Sequence, residues 1–170
     1  MSNDVLVTGN LTIQGSSNLP GGGLKIAILK EVYSSGTSGG TISAGFSNRT
    51  LNTLTDPDNL ITLEAGNILF SFNETGSYII KGCSVSFNVY FQLFLATNDN
   101  VIVIEGSSEK SSLRAMASSQ IYDVLTVTNT SQQYKLYQWA GTTRSNGQGR
   151  PTNASVSEVY SQLVIIKISN

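Results

Sequence analysis

The chain has 170 residues, 39% of them hydrophobic and only 12% charged, with a formal net charge of −1. That length suits one domain with a real core, covered by hydroxyls and amides in place of ions. Basic residues scattered singly, at Lys25, Lys30, Lys81, Lys110, Lys135 and Lys167, give no footprint for a phosphate backbone, so nucleic acid is excluded as a partner.

In chain order, the opening MSNDVLVTGN lacks a basic stretch followed by a long apolar run, so it does not read as a secretory signal. VLVTGNLTIQG reads as a short strand, and SSNLPGGG as a break. We therefore divide the chain into residues 1–23, a strand and Gly-rich hinge, and residues 24–170, the main domain. From there the signal is nearly all period two. LKIAILKEVY, NLITL, NILFSF, SYIIKGCSVSF, VYFQLFLAT, NVIVIEG, SQIYDVLTVT, QQYKLYQWAG and VSEVYSQLVIIKIS are strand-length and rich in β-branched and aromatic residues. Turn signals such as DPDN, EAGN, NETG and TNDN separate them, at spacings that fit an antiparallel sandwich. SSEKSSLRAMASSQ is the one stretch with any helical character, and a connecting loop suits it better. No apolar run is long and charge-free enough to insert in a membrane as a helix, since SYIIKGCSVSFNVYFQLFLAT carries Lys81 and alternates.

Between Tyr78 and Thr97, Ile79, Cys83, Val85, Phe87, Val89, Phe91, Leu93 and Leu95 share one parity, which predicts that this parity is buried. Gly82, Ser84, Ser86, Asn88 and Gln92 should then face solvent. Cys83 accordingly reads as a buried structural thiol. A single strand of that length would far exceed the usual five or six residues or so, which places a bend near Phe87 and Asn88. In QLVIIKIS both parities are apolar, so Leu163 and Ile165 compete with Val164, Ile166 and Ile168 for the inside. A two-layer sandwich buries both only if another subunit covers one. Tyr134, Tyr137, Trp139 and Tyr160 join Val164, Ile166 and Ile168 as the expected interface, because aromatics fill interface cores while satisfying a hydroxyl or ring N–H.

Chemistry-bearing patterns are sparse. The chain contains no histidine, which excludes Ser-His-Asp and Cys-His nucleophile systems and histidine zinc sites. The nearest carboxylate pairs, Asp56 with Asp58 and Glu105 with Glu109, fall in or beside turns, so the chain does not read as an enzyme. No cofactor is expected; calcium is the one alternative, for which TNDN offers Asp99 and Asn98 as oxygen donors, and an ordinary Asx turn is the preferred reading of the same sequence. Sequons begin at Asn10, Asn48, Asn73, Asn129 and Asn153, a number that a Ser-, Thr- and Asn-rich chain produces by chance. The most promising contact surface is the loop GTTRSNGQGRPTNAS. Its Arg144, Asn146, Gln148, Arg150 and Asn153 have the forks and amides that grasp sugar hydroxyls or carboxylates, and binding residues concentrate on loops.

These segments in their order resemble a known superfamily. The landmarks are Arg49, Leu51 and Asn52 as an R-x-L-N element, Asp56-Pro57, Gly76-Ser77-Tyr78 before a central strand, Leu95 to Asn98 at a strand end, Gly106-Ser107-Ser108 and the closing Glu158-Val159-Tyr160. Over residues 24 to 169 the chain is similar to viral and phage surface jelly rolls akin to the tumour necrosis factor and complement C-one-q globular heads. The resemblance implies an all-β jelly-roll sandwich of about ten antiparallel strands, a homotrimer, and action by binding. VLVTGNLTIQG is similar to short V-x-G-x-L-x-V-x-G elements that lead into the distal domains of viral fibres, which implies an anchoring role for Val5, Val7, Leu11 and Ile13; an ordinary edge strand is the alternative.

Two functions follow from the resemblance. One is a trimeric receptor-binding head or fibre tip that engages a cell-surface glycan or protein. The other is a capsid decoration or cement protein. Both imply a virion-surface location, synthesis in the host cytoplasm and contact with other virion proteins through the N-terminal segment.

Overall fold

Period-two patterning gives eleven strands in the computed structural model, which describes residues 24–87, 89–110 and 116–169. They are β1 (Lys25–Tyr33), β2 (Gly45–Asn48), β3 (Thr53–Thr55), β4 (Ile61–Leu63), β5 (Leu69–Phe72), β6 (Gly76–Phe87), β7 (Tyr90–Thr97), β8 (Ile102–Lys110), β9 (Met116–Val127), β10 (Gln133–Ala140) and β11 (Glu158–Ser169). The expected break after Phe87 separates β6 from β7. The two short strands β2 and β3 carry too little alternation to be read from sequence. Ser107–Lys110 and Met116–Gln120, from the stretch read as a connecting loop, belong instead to β8 and β9.

The strands form two antiparallel sheets packed face to face as a jelly-roll sandwich. One sheet runs β3-β1-β11-β6-β9. The other runs β4-β5-β10-β7-β8, with β2 also pairing β10. Ala27, Leu29, Phe70, Phe72, Tyr78, Ile80, Phe91, Leu93, Leu95, Leu136, Leu163 and Ile165 fill the space between them. Ring contacts tie the layers: Phe72 lies 4.5 Å from Tyr78 and 5.3 Å from Tyr134, centroid to centroid.

The parity expected along Tyr78 to Thr97 holds in β7 and is inverted in β6. Tyr78, Ile80, Gly82, Ser84 and Ser86 point inward, while Ile79, Cys83, Val85 and Phe87 point away from the core. Cys83 is therefore exposed rather than a buried thiol. The reason is a polar cluster between the sheets. Glu31 and Arg49, both fully buried, form an ion pair at 2.6 Å, and Ser161 accepts from the Arg49 Nε and donates to Glu31. Ser84 Oγ lies 2.8 Å from Ser161 Oγ, so this hydroxyl on β6 faces in to complete the network. Burial drives Glu31 up and Arg49 down in pKa, each opposed by the charge of the other.

The R-x-L-N landmark acquires a physical meaning here. Arg49 holds the buried pair, Leu51 enters the core, and the Asn52 side chain bonds both the N–H and the C=O of Val32, continuing a strand pairing with an amide.

β1 and β11 pair antiparallel with Lys25 opposite Lys167, so Leu24 and Ser169 lie together at one end, the base. Glu74, before β6, fastens that end by accepting from both Lys25 and Lys167. The connections 34–44 and 141–157 lie at the opposite end.

Candidate functional site

The long hydrophilic loop after β10 is held closely. Ile42 and Arg144 exchange both backbone bonds, Gly39 donates to Gly149, Gln148 donates to Gly40, and Phe87 donates to Gly147. The buried Arg49 reaches up to the Gln148 carbonyl at 2.9 Å. Gly149 has φ of 141° and lies so close to the Tyr160 ring that an added Cβ would come within 2.1 Å of it. The far half of the loop hangs on Glu158, whose carboxylate accepts from the backbone N–H groups of Gly36, Thr152 and Asn153 and from the Thr152 hydroxyl. Partial desolvation pushes that carboxyl up, but the backbone donors outweigh it and hold it below the usual carboxylate range.

On this frame the five expected contact residues are brought to one end of the sandwich. Arg144, Asn146, Arg150 and Asn153 are exposed and Gln148 is half-buried. The Arg150 guanidinium sits 5.4 Å from the centre of the Phe87 ring, a cation–π contact that sets its direction. Asn146, Asn153 and Ser155 have φ near 60°, a conformation that fixes the course of the loop. Neither connection at this end contains an acidic residue, whereas those at the base carry Asp56, Asp58, Glu74 and Asp99. Glu158 at the loop end and Lys25, Lys135 and Lys167 at the base balance these charges in part.

The seven residues expected at an intersubunit interface are separated by the fold. Tyr134 and Tyr160 are core residues: Tyr134 packs on Phe70 and Phe72, and the Tyr160 hydroxyl donates to Thr37 at 2.7 Å. Their side chains are taken up within the chain and do not reach an outer face. Tyr137 and Trp139 point outward from β10, on the second sheet. Val164, Ile166 and Ile168 point outward from β11, on the first.

Those three have company, of which the sequence reading placed Ile79 inside. The register aligns Ile28, Val164, Lys81 and Tyr122 in one outward row and Ile26, Ile166, Ile79 and Val124 in the next. Tyr122, Val124 and Ile168 are exposed, and the rest, Lys81 apart, are half-covered. A shallow groove lined by Lys81, Cys83, Gln120, Tyr122, Gln162 and Val164 crosses the same face. One face of QLVIIKIS is buried by the chain itself; the other is this apolar surface.

At the TNDN turn, the oxygens offered to a cation converge on a lysine. The Lys135 ammonium donates to the Asn98 carbonyl and to the Asn100 side chain, while Asn98 Oδ1 accepts from Gln132. Burial lowers the Lys135 pKa, and Asp99 opposes the shift. No group of three or more candidate metal ligands occurs among the described residues. Asp56 and Asp58 likewise accept backbone N–H groups, of Ile61 and Ile26, as turn acids do. Val5, Val7, Leu11 and Ile13 lie outside the described residues, as does Arg114.

Strand order, layer composition and the position of the loops decide the fold. It is that of the tumour necrosis factor and complement globular heads. The globular domain of zebrafish complement 1qA protein superposes with a TM-score of 0.54 at 12% identity, over 86% of this chain and 98% of that one. Murine APRIL at pH 5.0 superposes with a TM-score of 0.57 at 11% identity, over 86% and 100%. Eiger TNF from S. frugiperda gives 0.54 at 12%, over 86% and 94%. No family model and no curated protein sequence matches the chain. At such identities the likeness is one of architecture, and residue roles must come from the chain itself.

Proposed function

We propose that this protein is a homotrimeric, non-enzymatic binding head on a virion surface, standing on its N-terminal segment and engaging a cell-surface receptor through the 141–157 loop. The observation that carries the reading is the outward face of the first sheet. Ile26, Ile28, Ile79, Val164, Ile166, Tyr122 and Val124 form an apolar surface, crossed by the exposed Lys81, of the kind monomers rarely leave in water. Covering such a face is worth about 25 cal/mol per Å², enough over several hundred Å² to offset the entropy of association. Three copies joined through it keep the second sheets outward and all three loop ends pointing one way.

The loop end supports the receptor role. It lies opposite Leu24, where residues 1–23 join the head, so a stem there leaves Arg144 and Arg150 distal. Its carbonyls and glycines are bound into the fold, while its guanidiniums are presented to solvent.

Light scattering at micromolar concentration is expected to give three times the chain mass, and Val164→Asp with Ile166→Asp is expected to give the monomer mass without loss of β structure. A monomeric wild type would overturn the assembly. Arg144→Ala with Arg150→Ala should keep the trimer and abolish binding to host cells. If binding survives and particles instead lose stability when residues 1–23 are deleted, the protein is a capsid cement protein.

A further inference from the structure

The second sheet carries an aromatic surface that the assembly above leaves unused. Tyr90, Trp139 and Phe46 are 49%, 38% and 52% exposed, although large aromatics are ordinarily drawn inside. They come from three strands, β7, β10 and β2, and the register places Phe46 directly opposite Trp139. All three lie at the ends of their strands nearest the basic loop. Phe46 is held by stacking on Tyr137, with ring centres 5.1 Å apart and planes at 14°. Gly141, whose N–H donates to the Tyr90 carbonyl, lies between the other two rings. A Cβ added there would lie 3.1 Å from Tyr90 and 3.5 Å from the Trp139 ring, so the absence of a side chain lets the two aromatic residues approach each other over the glycine backbone.

Two residues further on, Thr143 accepts the Ala44 N–H through its hydroxyl, and Arg144 follows, pinned to Ile42. The same pair of backbone segments, 42–46 and 139–144, therefore presents aromatic rings and then a guanidinium. Among the described residues Arg144 has no carboxylate partner.

We propose that this shelf is a glycan-binding site for a terminal sugar that bears a carboxylate. The apolar face of a pyranose matches exposed aromatic rings, and Arg144 supplies the fork for the acid group. A neutral sugar would leave the cation unused, and a sulfated polymer would satisfy the cation without needing the rings. Arg144 and Arg150 stand exposed at this end, and the Glu158 carboxylate there is taken up by the Gly36, Thr152 and Asn153 amides, which favours the acidic sugar. The inference rests on the reading of this end as the receptor-facing end, and it relocates the main contact from the loop tip to the shelf beside it.

The test uses the full trimer and three probes: an oligosaccharide ending in sialic acid, the same oligosaccharide after desialylation, and heparin. Trp139 is the only tryptophan, so its emission reports on the shelf directly. Saturable change in emission with the sialylated probe, at least tenfold weaker with the desialylated one, is expected. Gly141→Ala, which forces the Tyr90 and Trp139 side chains apart and keeps the reporter, should weaken binding tenfold or more. Arg144→Ala should erase the preference for the acidic probe, and Trp139→Ala, read by ligand-detected NMR, should abolish binding. Unaltered emission with both oligosaccharides overturns the proposal, as does heparin binding that survives in Trp139→Ala as the sole interaction. If emission is unaltered yet cell binding still depends on Arg144 and Arg150, the shelf is refuted and the receptor-facing loop stands; loss of both refutes both.

Discussion

At the scale of single residues, the buried ion pair decides most. Arg49 joins Glu31 and Ser161 in the interior to the Gln148 carbonyl in the loop, so one side chain couples core and contact surface. Removing it leaves a carboxylate buried without compensation, which costs about 3–5 kcal/mol. Arg49→Met should therefore lower the denaturant midpoint sharply, and Glu31→Leu with Arg49→Met should recover much of the loss, since no charge is then stranded. Glu158 gives a second expectation. Its pKa is held below the unfolded value of 4.5, so its contribution is fully present above that value and is lost as pH falls through the lowered one. The Thr152 and Asn153 amide resonances should shift together on acidification below about pH 4.5, and Glu158→Gln should flatten the response. Neither role could be read from sequence. Arg49 stood out as a landmark in a pattern, but a lone arginine in SNRTLN gives no sign that it is buried.

At the scale of elements, alternation located nine of the strands and failed on which face of β6 turns inward. The failure has a definite cause. An apolar residue at every second position identifies a strand with one buried face, but cannot say whether the chain itself or a second copy does the burying. In β6 the inward row carries Ser84, bonded to the polar cluster, and Gly82, packed against Ile121 and Leu163, and the apolar row is left outside. β11 was legible as apolar on both faces, and that reading survives because its outward row matches the outward row of β6. The loop after β10 looked merely hydrophilic, yet its course depends on close approaches at glycine. Gly149→Ala, at φ of 141° and against Tyr160, should destabilise the protein by about 2 kcal/mol or more. It should also release the loop, measurable as faster amide exchange across residues 144–150.

At the scale of the whole molecule, the two sheets differ in what they turn outward. The first sheet turns an aliphatic face outward, with Val164 and Ile166 at its centre; the second turns out aromatic rings and polar side chains. The sequence contained both sets but merged them, because Tyr134, Tyr137, Trp139 and Tyr160 were grouped with Val164, Ile166 and Ile168 as one interface. Only the register separates them. A charge on the first face should abolish assembly and leave the folded unit intact, whereas Trp139→Ala should leave assembly intact. Sedimentation and thermal melts of the two variants, run side by side, distinguish the faces.

The pairing of β1 with β11 has a mechanical consequence. The 141–157 loop runs directly into the start of β11, and Leu24 runs directly into the start of β1, at the opposite end. Tension between a ligand held at the loop and an attachment at the base pulls these two antiparallel neighbours past each other lengthwise. Every rung of the ladder from Lys25 opposite Lys167 to Tyr33 opposite Glu158 then bears load at once, instead of opening one after another. Such a head would resist being torn from its mount far better than its thermal stability alone suggests.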